Sequence, residues 1–70
     1  MFRETGDPAG EALALNGLGE AFLAISRPER ARIEFTRALR LARRIGDKDA
    51  QARANGGLRR IPGSASGKQA

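Results

Sequence analysis

The chain has 70 residues, a formal net charge of +5, three Phe, no Trp or Tyr, no Cys and no His. That length allows one small domain, the lack of Cys excludes a disulfide framework or thiolate metal centre, and the lack of His removes the usual general base and metal ligand near neutral pH. No stretch approaches the roughly 18 apolar residues of a membrane span, and residues 1–7 mix Arg3 with Glu4 and Asp7, unlike a signal peptide, so a cytoplasmic protein is predicted.

The elements follow in chain order. Gly6-Asp7-Pro8 is a helix boundary: Gly6 suits the end of one helix, Asp7 the cap of the next and Pro8 its first turn. A helix is predicted over residues 8–25, with Ala14, Leu15, Leu18, Ala21, Phe22 and Ile25 on one broad apolar face. Gly17 and Gly19 each cost about 1 kcal/mol against Ala inside a helix, which points to a close helix–helix approach. Ser26-Arg27-Pro28 is a turn in which Ser26 or Arg27 can cap.

A second helix is predicted over 28–45. Ala31, Phe35, Ala38, Leu39, Ala42 and Ile45 form its apolar stripe, with Arg30, Arg32, Arg37, Arg40, Arg43 and Arg44 opposite. Glu34 sits between Arg30 and Arg37 at pairing distance along the helix, and Ile33 is an apolar residue on the polar face. Gly46-Asp47 ends this helix and caps a third, over 48–60, weakened by Asn55, Gly56 and Gly57 in its middle. Ile61-Pro62-Gly63 stops it, and residues 62–70 are predicted to form a disordered tail.

Sliding the chain against itself by forty residues aligns Gly6 with Gly46, Asp7 with Asp47, Ala12 with Ala52, Ala14 with Ala54, Gly17 with Gly57 and Leu18 with Leu58. A period of this length points to a helical solenoid. Leu15-x-x-Leu18-Gly19-x-x-Phe22 followed by Ala31-x-x-x-Phe35-x-x-Ala38 resembles the tetratricopeptide repeat (TPR) signature. Leu15 stands for the signature's Trp, Phe22 for its Tyr, Ser26 for the frequent turn Gly, and Arg43 lies near its Pro. The period resembles that of the long-helix subtype found in arrays of large bacterial regulators, including ATP-hydrolysing signal proteins and transcriptional activators. The resemblance implies an all-α antiparallel helical hairpin repeat of about three helices. It divides the chain into a remnant of a preceding repeat (1–7), one complete repeat (8–46), a degraded half-repeat or capping helix (47–61) and the tail (62–70). Gly19, Ala31 and Ala38 are expected at close helix contacts, with Leu18, Phe22 and Phe35 filling the space between them.

Function follows the same resemblance. A TPR-like module is a protein–protein interaction scaffold, and the first helix of each pair lines its concave groove. Carried over, the partner-binding stripe is Leu13, Asn16, Glu20 and Ala24, with Gly17 between them. The same residues also read as an ordinary mixed helix surface. The partner is a protein or peptide, with self-association of the chain as a further expectation.

Catalytic, metal and cofactor residues are not expected. Gly63-Ser64-Ala65-Ser66-Gly67-Lys68-Gln69 falls short of a phosphate loop, because three residues separate the glycines and Gln follows the Lys. Ser26, Ser64 and Ser66 have no base to activate them. The alternative is a basic helical module that binds nucleic acid non-specifically. It would need Arg53, Arg59, Arg60 and Lys68 to extend the arginine face of the second helix, and no aromatic residues interleave there for base stacking. A solvated convex face is the favoured reading of those arginines.

Overall fold

The structure, a computed structural model, describes residues 7–61, so all but Asp7 of the predicted remnant at 1–7, and the tail at 62–70, lie outside the described residues. The fold is all-α. Three helices follow one another, α1 (Pro8–Ala24), α2 (Pro28–Ile45) and α3 (Lys48–Arg59), and there is no strand among the described residues.

Local signals set each boundary. Asp7 accepts a hydrogen bond from the Gly10 N–H at 3.1 Å, and Asp47 repeats the device on the Ala50 N–H at 3.0 Å. Both turns between helices use a left-handed residue. Gly46 has φ of +71° and Ser26 has φ of +61°. In each turn the left-handed N–H bonds back to the carbonyl three residues earlier, and the next N–H bonds back five: Ser26 to Leu23 and Arg27 to Phe22, then Gly46 to Arg43 and Asp47 to Ala42. These bonds satisfy the last carbonyls of α1 and α2. Arg27 occupies the N-cap of α2 without a side-chain bond, so backbone geometry and Pro28 start that helix.

The two turns fold the chain back twice, so α2 runs antiparallel to α1 and α3 and lies against both. Phe35 is fully buried at the centre. A Cβ at Gly19 would lie 2.8 Å from its ring, and a Cβ at Gly57 would overlap it. The ring is therefore seated between a glycine of α1 and a glycine of α3. Around it, Ala31 and Ile61 are buried, with Phe22, Leu23 and Leu58 half-buried against them. Towards the other end the helices meet through Ala12, Ala42 and Ala50, with Leu41 alongside. The α2 stripe holds through Ala31, Phe35, Ala38 and Ala42, while Leu39 is half-buried and Ile45 is exposed.

The predicted apolar face of α1 is displaced. Ala12, Asn16 and Gly19 face the interior, whereas Ala14, Leu18, Ala21 and Ile25 are exposed, with Leu18 at 47% and Ile25 at 61%. Leu15 and Phe22 are half-buried. Apolar residues surround α1, so periodicity singles out no one face. At the closest approach to α2, small residues win over large ones. Leu18 therefore does not fill the helix–helix space. Gly17 differs from Gly19 in the same way, because a Cβ there would meet nothing within 4 Å.

Glu34 is a second departure. It is buried, its Oε1 lies 3.9 Å from the Arg37 guanidinium, and that oxygen has no hydrogen-bond partner. Arg30 stacks instead over the Phe22 ring, 5.1 Å from its centroid.

Candidate functional site

Two antiparallel turns in succession leave α1 and α3 parallel and side by side. The helices begin at the same end, where Asp7 and Asp47 cap them. Between them runs an open groove lined by Asp7, Ala9, Gly10, Leu13, Asn16, Asp47, Asp49, Ala50 and Arg53. Leu13, the large apolar side chain of this lining, is 56% exposed there.

Asn16 forms the floor. It is fully buried, and its Nδ2 donates to the Ala50 carbonyl at 3.2 Å. This bond ties α1 to α3 directly. Its Oδ1 is buried without a hydrogen-bond partner, so the amide is only half satisfied. Further along, Glu20 reaches Arg53 of α3 at 3.7 Å, with both side chains about half exposed. An exposed pair at that distance is worth little in stability, and it acts as a loose bridge across the groove.

The four residues expected at a partner surface thus fare differently. Leu13 lines the α1 side of the groove and is exposed, while Glu20 lies beyond the lining and meets the groove through Arg53. Ala24 is exposed at the last turn of α1. Asn16 bonds within the chain, so its side chain supports the groove floor and does not project from it. Sequence reasoning missed the opposite wall: Asp47, Asp49, Ala50 and Arg53. The aligned Asp7 and Asp47 carried the signal, because equal starts forty residues apart, joined by two reversals, place two helices in parallel.

Asp7, Asp47 and Asp49 make one end of the groove acidic on a chain of net charge +5. Two of these carboxylates are already engaged as helix caps. Among the described residues no cluster of His, Cys, Asp or Glu could hold a metal ion, and no helix is long and apolar enough to cross a membrane. Arg37, Arg40 and Arg44 line a separate crevice with Glu11, Leu15 and Leu41, on the α1–α2 flank. Arg53 does not extend that group, being placed in the groove opposite Glu20. Comparison of the chain with protein families, with curated proteins and with solved structures found no match.

Proposed function

We propose that this chain is a protein-interaction module of the TPR kind, and that the α1–α3 groove receives a segment of a partner protein. The observation that carries the reading is the groove itself, an open channel between two parallel helices with an exposed Leu13 above a buried amide floor. Leu13 supplies apolar contact, and the acidic end at Asp47 and Asp49 favours a basic residue in the partner. The chain works by binding and not by catalysis, since it contains no His or Cys and its serines lack an activating base. On this reading it acts in the cytoplasm as part of a bacterial regulatory protein, and any activity that it controls resides in another domain.

Panning a peptide-display library against the full chain tests the reading. The expected result is enrichment of peptides whose affinity falls at least tenfold on Leu13→Glu and stays unchanged on Ile33→Glu, which alters a 45%-exposed residue of α2. No enrichment, or enrichment indifferent to Leu13, overturns it. If random DNA binds instead, with an affinity that falls steeply with salt, the arginines contact phosphates and the scaffold reading fails.

A further inference from the structure

We propose that the crevice between α1 and α2, lined by Arg37, Arg40 and Arg44, is a docking site for an acidic protein segment that carries a large apolar residue among its carboxylates. The three arginines follow one another at steps of three and four along α2, which places them on one side of the helix. From Arg37 to Arg44 the rise along the axis is about 10 Å. Leu15 of α1 and Leu41 of α2 line the same crevice, both half-buried, so apolar surface stands open beside a row of positive charge.

The fold itself does not account for that row. Arginines three and four residues apart repel one another along a helix, and the carboxylates that would relieve them are not in place. Arg37 meets only the buried Glu34, at 3.9 Å, and its own side chain stays 65% exposed. Arg40 and Arg44 take part in no ion pair among the described residues. Glu11 lines the crevice, yet it pairs with none of the three. The dipole of α2 favours a cation in the last turn, which accounts for Arg44 but not for Arg37 or Arg40.

Charge complementarity selects the occupant. Guanidinium groups pair with carboxylates through two parallel hydrogen bonds. Carboxylates spread over about 10 Å, roughly three residues of extended chain or seven of helix, match the row. An apolar side chain between them reaches Leu15 and Leu41. A nucleic acid fits less well, since no aromatic ring lines the crevice for a base to stack on. A bilayer is planar and has no group to place between two helices. A second copy is also a poor occupant, because two of the three aspartates in its groove already cap helices. The crevice shares no lining residue with the α1–α3 groove, so the two sites stand or fail separately.

The test titrates the full chain, at physiological ionic strength, into a fluorescein-labelled, end-blocked peptide of glutamates with a leucine at every fourth position, followed by fluorescence anisotropy. Saturable binding is expected. Arg40→Gln combined with Arg44→Gln should weaken it at least tenfold. Arg32→Gln combined with Arg43→Gln removes the same charge from exposed positions of α2 outside the crevice and should leave the affinity within twofold. Helix content by circular dichroism should be unchanged in both, since all four side chains are exposed. A peptide with serine in place of leucine, of identical charge, should bind at least tenfold more weakly. Absence of binding at millimolar peptide, equal losses from the two arginine pairs, or equal binding of the serine peptide overturns the proposal. So does a single-stranded oligonucleotide, or a phosphatidylserine vesicle, that binds as tightly as the peptide through Arg40 and Arg44. A dimer of the chain alone that the Arg40 and Arg44 changes dissolve, while no peptide binds, overturns it as well.

Discussion

Phe35 is held by what its neighbours lack. Gly19 and Gly57 remove the Cβ atoms that would collide with its ring, so α1 and α3 close on it from two sides. Replacing Phe35 with Ala is expected to cost about 3–5 kcal/mol, enough to unfold a domain of this size. A urea titration showing a loss below about 1 kcal/mol would contradict the packing. Glycine substitutions on α1 should have opposite signs two residues apart. Gly17→Ala is expected to gain up to about 1 kcal/mol from helix propensity, and Gly19→Ala to lose about 1–3 kcal/mol from overpacking against the ring. Equal effects at the two positions in thermal melts would refute the assignment. Phe35 and Gly19 were legible in the sequence, one as the large residue in a stripe of alanines and the other as a small residue inside a helix. Gly17 was not separable from Gly19, because a helix records its own period and not which neighbour it meets. Asn16 was misjudged for a related reason: a polar residue on an apparently open stripe turned out to face the Ala50 carbonyl thirty-four positions away.

At the level of elements, all three helices could be placed from their punctuation. Asp7-Pro8, Pro28 and Gly46-Asp47 are local signals that need no tertiary context, and the predicted ends agree with the structure to within one residue. The facing of α1 was less legible, since its apolar residues run all round the helix and only the two partners select a side. The two turns share one hydrogen-bond pattern but not one residue type. Ser26 holds a left-handed conformation that disfavours side chains by roughly 1–2 kcal/mol. Ser26→Gly is therefore expected to raise stability by about 0.5–1 kcal/mol after the added freedom of the unfolded chain is deducted. Gly46→Ala should lower it by about 1 kcal/mol. Asp47→Ala removes the cap of α3 and should cost about 1 kcal/mol, seen as a lower midpoint in thermal denaturation and faster amide exchange in α3 than in α2.

For the whole molecule the balance is narrow. One aromatic ring and a group of alanines make up most of the interior, and Leu13, Leu18, Ile25, Ile33 and Ile45 remain exposed. If the chain is a helical repeat, as proposed, much of its stability comes from neighbours. The isolated chain is expected to be a marginal monomer whose melting temperature rises with protein concentration, because association stabilises only the folded form. Circular dichroism with sedimentation over a concentration series measures this. A sharp melt independent of concentration, in a monomer, would show that α3 caps the hairpin sufficiently by itself.

A single ring shared among three helices also sets the order in which the chain comes apart. α3 is the shortest helix, with 12 residues, and holds Gly56 and Gly57 in its interior. When it lifts away, α1 still covers one side of Phe35 and the hairpin survives, but the other side of the ring meets water. Arg53, Arg59 and Arg60 lie on the departing segment, so trypsin should cut there before it cuts α1 or α2. The hairpin left behind would carry a bare aromatic flank. Breakdown of this chain and its tendency to aggregate would then begin with the same local opening, and a ligand that held α3 in place would slow both.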